Sequence, residues 1–301
     1  MSEITVLILT YNEEIHIERC IRSCQPIAKQ ILIIDSFSTD RTVELARNLG
    51  AEVVQRAWKN HADQFQWGLD TCQTETEWVM RMDADEYLEP ALQEEIPHLL
   101  ANLSDEIGGV YIKRKVFFMG KWIRYGGFYP HILLRIWRTG LAHVEQRWMD
   151  EHIVLHPGSK TIIARHDLVD DNQKGITFWI AKHNQYASRE AADVLNQKYV
   201  LFPRDNSLLQ IDDPQAKRKR KLKENVYNKM PLGLRAFLYF LYRYIFKFGF
   251  LDGSRGFIWH FLQGFWYRLL VDLKIADILL YSHGNIEQMK RIIKERHGIE
   301  V

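Results

Sequence analysis

Two carboxylates stand one residue apart, at Asp83 and Asp85, directly after the apolar run 78–82. Side chains at i and i+2 point to the same side of a strand, so these two would converge, or fan around one point if the strand turned. Clustered carboxylates repel, and a hard cation such as Mg²⁺ or Mn²⁺, shared with substrate phosphates, would keep both ionised. The spacing therefore predicts a metal–diphosphate site, with an acidic turn after a strand as the structural alternative.

Two earlier strand ends are also polar. Residues 4–9 and 30–34 are apolar, β-branched runs that predict buried strands. The second is followed by Asp35, and the first by Thr10, Tyr11, Asn12 and Glu13. Strand and helix patterns alternate from residue 4 to 83, which predicts a parallel sheet with ligands bound beyond its carboxyl ends. We expect the ends of the first, second and fourth strands to meet around one cation that carries a nucleotide's phosphates.

Composition sets broader limits. The 301 residues are enough for two domains, 47% are hydrophobic, and the net charge is +2. The three cysteines form neither a CxxC pair nor a zinc spacing, which favours reduced thiols in a cytosolic protein. The beginning of the chain has no basic and apolar leader pattern, so we expect no secretion. Neither GxGxxG nor GxxxxGK[ST] is present, which argues against a dinucleotide fold and a P-loop.

Three motifs in this order and spacing resemble those of the family 2 glycosyltransferases of GT-A fold. They are TVLILTYNEE at 5–14, IIDSFSTDRT at 33–42 and MDADE at 82–86. The resemblance is to the bacterial branch that builds lipopolysaccharide core and surface polysaccharides, and it thins out after about residue 190. It implies an α/β fold with a mostly parallel, Rossmann-like sheet flanked by helices. The expected catalytic domain is 1–170, followed by a helical, amphipathic region over 171–301.

The resemblance also implies roles for individual residues. The polar residues Thr10, Tyr11, Asn12 and Glu13 would line the nucleotide pocket, Asp35 would bind the base, Asp83 the ribose, and Asp85 the metal on the diphosphate. Arg135, in the strand predicted over 132–138, joins the nucleotide-sugar-binding set. Two departures leave base and sugar preference open. Asp35 is followed by Ser36, where the family often has Asp or Gly, and a frequent Asn-Gly pair is replaced in the helix that carries Gln64, Gln66 and Trp67.

Transfer with inversion needs a base to deprotonate the acceptor hydroxyl. The matching family position is an acidic pair, here Asp150 and Glu151, and Glu151 is preferred because it directly precedes His152. A solvated acidic loop is the structural alternative. In GT-A enzymes a late histidine can complete the metal site, and a strand predicted over 162–167 ends at His166. His166 therefore joins Asp85 and Asp83 as a candidate ligand, although a lone histidine is more often structural.

The C-terminal half becomes basic at 217–223 and then aromatic. Over 234–248, Arg235, Arg243 and Lys247 fall within one third of a helix circumference, with aliphatic and Phe side chains elsewhere. These charges interrupt the roughly 20 apolar residues that a membrane span requires, so the pattern predicts a helix lying in the membrane interface. Residues 257–281 are a second amphipathic candidate, and 285–297 predict an exposed helix. The alternative is an aromatic helical core with a solvated basic face.

These features predict an inverting, Mg²⁺- or Mn²⁺-dependent glycosyltransferase. Its donor would be a nucleoside-diphosphate sugar and its acceptor a lipid-linked saccharide or lipopolysaccharide core. We expect a peripheral protein at the cytoplasmic face of the bacterial inner membrane, with no nucleic-acid partner. A sugar-nucleotide-forming nucleotidyltransferase is one rival, although it would normally carry a glycine-rich, basic loop after the first strand. A non-catalytic membrane-bound adaptor with the same fold is the other.

Overall fold

The computed structural model describes residues 3–71, 74, 76–145, 152–203 and 227–299. These divide into two compact units. Unit 1 comprises the described residues of 3–123, 128–145 and 152–173, and unit 2 those of 124–127 and 174–299. The main division lies after Gln173, and residues 124–127 belong to unit 2.

Unit 1 is built on a sheet of nine strands within the described residues, ordered β3-β2-β1-β4-β8-β6-β11-β5, with β7 paired to β6. Six of the nine (β1–β4, β6 and β11) run in one direction, as the parallel and antiparallel pairings show. A separate hairpin pairs β9 with β10. The strands are β1 (Ile4–Thr10), β2 (Gln30–Asp35), β3 (Glu52–Gln55), β4 (Trp78–Asp83), β5 (Glu86–Leu88), β6 (Ile107–Phe118), β7 (Lys121–Trp122), β8 (His131–Arg138), β9 (Ala142–Val144), β10 (Ile153–Leu155) and β11 (Lys160–Asp171).

Four helices flank this sheet: α1 (Ile17–Cys24), α2 (Thr42–Asn48), α3 (His61–Thr71) and α4 (Pro90–Ala101). The central strands are buried on both faces, as their continuous apolar runs predict. Gly68 lets α3 approach β2 closely, since a Cβ there would stand 2.0 Å from Cδ1 of Ile34. The α/β class with a mostly parallel sheet is therefore confirmed, while β5 and α4 are additions that the sequence pattern did not predict.

Unit 2 is helical. Its α-helices are α5 (Gly175–Tyr199), α6 (Leu234–Leu241), α7 (Gly253–Trp259), α8 (Tyr267–Ser282) and α9 (Ile286–His297). Two π-helical stretches, Tyr242–Phe246 and His260–Trp266, continue α6 and α7. Its core joins α5, α8 and α9 through side chains such as Ala191, Ile278 and Ile293. The predicted helical C-terminal region is thus confirmed, but α9 is only partly exposed because Met289, Ile292 and Ile293 are buried.

The two arginines of α6 and its π-helical continuation are buried. Arg235 and Arg243 do not form a solvated basic face, since they are 2% and 5% exposed. Arg235 forms an ion pair with Asp272 on α8, and Nε of Arg243 donates a 2.8 Å hydrogen bond to the carbonyl oxygen of Gly126. Arg235 and Arg243 face inward because buried acceptors meet them there, whereas Lys247, the third charge of the predicted face, is exposed.

Candidate functional site

The three predicted strand ends lie side by side. In the parallel register, Thr10 of β1 is opposite Asp35 of β2, and Leu9 is opposite Asp83 of β4. The β11 strand runs in the same direction and ends at Asp171, whose backbone N–H donates to the carbonyl oxygen of Asp85 at 3.1 Å. The carboxyl edge of the sheet therefore carries polar groups from β1, β2, β4 and β11.

Asp35 is the hub of the β1–β2 end of this edge. Its carboxylate is buried and accepts hydrogen bonds from the Thr10 hydroxyl at 2.9 Å, the Ser38 N–H at 2.8 Å and the Gln55 amide at 2.9 Å. The Ser38 hydroxyl is a fourth donor. A nucleotide base would have to replace one of these donors to reach Asp35, so the carboxylate fixes the loops around it.

The loop after β1 is joined to the loop after β2. The Asn12 side chain accepts from the Thr39 N–H at 2.8 Å, and the Asn12 N–H donates to the Ser38 hydroxyl at the same distance. Tyr11 is 57% exposed and Phe37 is 54% exposed. These two aromatic side chains follow neighbouring strand ends, and each offers a free surface on which a planar base can stack.

Glu13 and His16 connect this loop to the end of β11. The Glu13 carboxylate lies 2.7 Å from Nδ1 of His16, and Nε2 of the same ring accepts the Gln173 N–H at 2.8 Å. Because Nε2 accepts, Nδ1 carries the proton and donates to Glu13. The buried imidazole thereby holds two parts of the site edge at a fixed separation.

A group of opposite charges lies behind Asp83. Arg135 is buried on β8 and pairs with Glu86, while its guanidinium also lies 3.5 Å from the Asp83 carboxylate. Burial alone would raise the pKa of Asp83, but the positive charges of Arg81 and Arg135 outweigh it and hold that pKa well below its ordinary value. Asp83 is therefore ionised across the physiological range.

Glu86 is the fully buried member of this group. It accepts the Asp83 N–H at 2.9 Å, and Arg114 lies 3.5 Å away on β6. Burial raises the pKa of Glu86 to about 8, against the opposing influence of Arg135 and Arg114. The structure thus places Arg135, predicted to bind the nucleotide sugar, in contact with Asp83 and Glu86, where it fixes the end of β4.

Asp85 lies in the turn between β4 and β5 and is only partly buried. One carboxylate oxygen accepts from the Asn172 amide at 2.9 Å, and Asp85 forms no ion pair with any residue in the described part of the chain. Its carbonyl oxygen accepts from Arg19 at 3.2 Å as well as from Asp171. The turn is therefore held by its backbone, and the carboxylate remains available to a ligand.

His166 does not lie beside Asp85. The strand expected to end near it continues to Asp171, after a register irregularity between Ile163 and Asp167. His166 is exposed and pairs with Glu95 of α4, with Nδ1 2.8 Å from the carboxylate. Five residues of extended strand, about 16 Å, separate it from Asp171. The structure therefore brings Asp83 and Asp85 to the site edge but not His166.

The predicted base residues, Asp150 and Glu151, lie outside the described residues, as does the basic run 217–223. The ends of the segment that contains Asp150 and Glu151 are described. The Glu145 N–H donates to the His152 carbonyl at 2.9 Å, next to the β9–β10 pairing. Glu145 is fully buried, and its carboxylate lies 3.5 Å from Nδ1 of His152.

The carboxylate oxygens of Asp85 are suitable ligands for a hard divalent cation. Among the described residues, no group of three His, Cys, Asp or Glu side chains forms a ready-made metal site. Mg²⁺ and related ions, however, are commonly held by one or two carboxylates together with substrate phosphates and waters. A partly buried carboxylate on a rigid turn, free of cationic partners among the described residues, suits that arrangement.

Several residues of the site edge escaped the sequence analysis. Arg19 on α1 and Asp171 and Asn172 at the end of β11 fix Asp85. The signal for Asp171 and Asn172 was the polar stretch after Leu168 and Val169. Gln64 and Gln66 have structural contacts. Gln64 donates to the Ser36 hydroxyl at 3.3 Å, and Gln66 accepts the Val144 N–H at 2.8 Å. These glutamines connect α3 to β2 and β9.

Residues 5–165 match Glycosyl transferase family 2. This region covers more than half of the chain and includes the described strand ends with Asp35, Asp83 and Asp85. The chain belongs to glycosyl transferase family 2, as its motifs predicted.

Relatives from several bacteria share this region. The lipopolysaccharide core biosynthesis glycosyltransferase LpsC of Rhizobium meliloti is 30% identical over 204 residues, which cover 62% of this chain and 70% of LpsC. An uncharacterized glycosyltransferase of Rickettsia bellii is 38% identical over 105 residues, and the match spans 35% of each chain. This chain thus spans about a third of the length of that relative.

Among solved structures, glucosyl-3-phosphoglycerate synthase from Mycobacterium tuberculosis is similar to 38% of this chain. The match covers 44% of the synthase chain at 24% sequence identity, with a TM-score of 0.32. A likeness this distant does not bear on the site.

Proposed function

We propose that this protein is an inverting glycosyltransferase that moves a sugar from a nucleoside-diphosphate sugar to a saccharide acceptor. The observation that carries the proposal is the convergence of Thr10, Asp35 and Asp83 at adjacent strand ends, with the carboxylate of Asp85 free of ion pairs among the described residues. In open α/β sheets this edge is where ligands bind.

The donor would lie along the edge formed by the loops after β1 and β2. Tyr11 and Phe37 offer exposed aromatic faces to the base, and Asp35 keeps the loops around them in place. Asp83 is ionised and accepts hydrogen bonds, which suits contact with ribose hydroxyls. Arg135 and Glu86 keep the Asp83 backbone and side chain in position.

Asp85, with Asp83 beside it in sequence, would hold Mg²⁺ or Mn²⁺. When bound there, the ion neutralises the charge that develops on the leaving diphosphate. Asn172 orients the Asp85 carboxylate, and Arg19 and Asp171 hold the backbone of the turn. His166 is not included in this ligand set because of its place near Glu95.

Inversion requires a single displacement at the anomeric carbon, with a base on the acceptor side. We assign this role to Glu151 and keep Asp150 as the alternative. The two residues lie in sequence between Glu145 and His152, whose backbones are joined by a hydrogen bond at the loop end of the β9–β10 pairing.

The acceptor we propose is a lipid-linked saccharide or lipopolysaccharide core. The relative LpsC is named for lipopolysaccharide core biosynthesis, and its match covers 62% of this chain. Growth of such acceptors on a lipid carrier would place the protein peripherally at the cytoplasmic face of the bacterial inner membrane. No helix in the described part of the chain is long and apolar enough to cross a membrane.

The test is transfer itself. Nucleotide sugars are first screened with Mn²⁺ by thermal shift, and the full chain is then incubated with the donor that binds and with a lipid-linked saccharide. We expect release of nucleoside diphosphate and a product of inverted anomeric configuration by NMR. Asp85→Ala should abolish the metal-dependent reaction with an unchanged circular dichroism spectrum. Glu151→Gln should bind donor but not turn over, and full activity of that variant would move the base to Asp150 or elsewhere.

Two outcomes would overturn the proposal. Formation of pyrophosphate from a sugar 1-phosphate and a nucleoside triphosphate would identify a nucleotidyltransferase. Failure to bind or hydrolyse any nucleotide sugar in the presence of Mn²⁺ would favour a non-catalytic protein with this fold.

A further inference from the structure

Residues 232–261 of unit 2 expose an unusual number of large apolar side chains. We refer to the exposed hydrophobic residues of this segment as the apolar surface. Phe246 is 71% exposed, and Phe237, Leu238, Ile245, Phe248 and Leu251 are also exposed. Exposed rings of the segment adjoin one another, as Phe248 with Phe250 and Phe257 with Phe261. Adjoining exposed apolar side chains of this kind mark an interaction site in a folded protein.

The same segment buries its charges. Arg235 is paired with Asp272, and Arg243 donates to the Gly126 carbonyl. Asp252 is buried as well, and its carboxylate accepts the N–H groups of Arg124 at 3.2 Å and Tyr125 at 2.9 Å. A helix in water normally has the reverse arrangement, with charges outside and aromatic residues inside. This segment is therefore folded for an apolar environment on its outer side.

The charges that remain exposed have one sign. Throughout residues 231–266, all of which the structure describes, the exposed charged side chains are Lys247 and Arg255. Both are cations, and Lys247 lies 5.6 Å from the ring centroid of the exposed Tyr242. Basic and tyrosine side chains beside apolar ones are the combination found at the headgroup level of membranes. An anionic lipid surface complements this charge pattern, whereas a second copy of the chain would bring like charges towards each other.

The helices of this segment are too short to span a bilayer. Helices α6 and α7 have 8 and 7 residues, and π-helical and 3-10 turns extend or join them. Helix α6 and its π-helical continuation together cover residues 234–246 and extend about 20 Å, against a hydrocarbon core of about 30 Å. Among the described residues, no helix is long and apolar enough to cross a membrane. Phe248, between the π-helical end of α6 and the start of α7, lies in the left-handed conformation with φ of 60°. The apolar side chains would therefore reach into one leaflet only.

We propose that the apolar surface inserts into the outer part of an anionic bilayer leaflet, with Lys247 and Arg255 at the lipid phosphates. The inference rests on the proposed function, because it identifies the surface through which this enzyme would reach an acceptor carried on a lipid. In this arrangement the aromatic and aliphatic side chains meet the membrane, whereas Arg235 and Arg243 are buried and do not.

The experiment is vesicle flotation of the full chain. Vesicles of phosphatidylcholine alone are compared with an equal mixture of phosphatidylcholine and phosphatidylglycerol. We expect the wild type to float with the anionic vesicles. The double variant Phe246→Ser/Phe248→Ser should bind roughly tenfold or more weakly, because two exposed apolar side chains no longer enter the leaflet. Met119→Ser/Ile163→Ser removes two comparably exposed apolar side chains from unit 1 and should float like the wild type.

A charge-reversal variant tests whether Lys247 and Arg255 contact the lipid phosphates. Lys247→Glu/Arg255→Glu should lose on the order of tenfold in affinity for the anionic vesicles and little for the neutral ones, because each basic residue contributes near an anionic surface. Equal flotation of all variants, or no flotation of the wild type, would overturn the insertion. Dissociation of a wild-type dimer by Phe246→Ser/Phe248→Ser, without vesicle binding, would assign the surface to self-association and also overturn it.

Hydrolysis of the nucleotide sugar in the absence of vesicles separates this inference from the proposed function. A wild type that hydrolyses the donor but does not float contradicts the insertion and leaves the glycosyltransferase assignment standing. A wild type that floats but does not hydrolyse any nucleotide sugar supports membrane insertion of the apolar surface and contradicts the proposed glycosyltransferase activity. The Phe246→Ser/Phe248→Ser variant should hydrolyse donor at the wild-type rate.

Discussion

The side-chain amide of Asn172 donates a 2.9 Å hydrogen bond to the carboxylate of Asp85, across 87 positions of sequence. The bond joins the end of β11 to the turn after β4, and it is the contact between the Asp85 side chain and the described residues that sets its orientation. Outer partners of this kind position metal ligands in many proteins.

Removal of this amide should weaken metal binding. Asn172→Ala frees the Asp85 carboxylate to adopt other rotamers, and we expect Mn²⁺ to bind about tenfold more weakly. Titration of Mn²⁺ followed by the electron paramagnetic resonance of the free ion measures this. Asn102→Ala, at the exposed end of α4, is the control. An Asn172→Ala affinity equal to that of the wild type would show that Asp85 needs no such support.

Loss of Arg135 should destabilise unit 1 strongly. Arg135→Ala removes one of the two guanidinium groups beside the buried Glu86 carboxyl, and removal of one member of a buried pair costs about 3–5 kcal/mol. Arg22→Ala removes an exposed pair with Glu18 and should cost less than about 0.5 kcal/mol. Urea unfolding monitored by fluorescence gives both values. Similar losses in the two variants would contradict the role of Arg135 in fixing β4.

Two adjacent glycines should respond differently to alanine. Gly126 and Gly127 both have positive φ, of 72° and 68°, so either substitution carries about 1–2 kcal/mol of backbone strain. A Cβ on Gly126 would also stand 2.0 Å from the His260 ring, whereas on Gly127 it meets only Lys247 at 3.7 Å. Gly126→Ala should therefore lose a further 1–3 kcal/mol or so in thermal or urea unfolding. Equal stability of the two variants would place the His260 ring elsewhere.

The stability of unit 2 should depend on pH through His260. This ring is fully buried, and neither nitrogen has a hydrogen-bond partner among the described residues. Burial, with the nearby Arg243, lowers the pKa of His260 from 6.5 to about 3. The folded state therefore keeps the ring neutral, while the unfolded state takes up a proton below pH 6.5. Stability from this group is present above that pH and is lost as the pH falls towards 3.

Comparison with His260→Gln isolates this contribution. Between about pH 8 and pH 5 the wild type should lose roughly 2 kcal/mol that the variant does not lose. Urea unfolding at several pH values measures the difference, and His283→Asn, at an exposed position, is the control. Parallel pH profiles of the wild type and His260→Gln would show that the ring is not buried in neutral form.

The strand ends of the site were predictable because short apolar runs ending in polar residues carry a local signal. The runs before Thr10, Asp35 and Asp83 coincide with β1, β2 and β4 to within one residue. Asn172 was not predictable in this way, since the irregularity in β11 near His166 interrupts the alternation before the strand resumes. The burial of Arg235 could not be predicted either. Helical spacing predicts which residues share a face, but it does not reveal that Arg235 pairs with Asp272, 37 positions away.

The segment Arg124–Gly127 shows that this chain is not a simple tandem of two parts. It lies between β7 and β8 in sequence, yet its backbone is hydrogen-bonded to Asp252, Lys247 and Arg243. A fragment cut after Gln173 would retain these four residues but lose every one of those partners. Dissection of the protein for separate study therefore calls for a short replacement loop between Ile123 and Phe128, not a single terminal truncation.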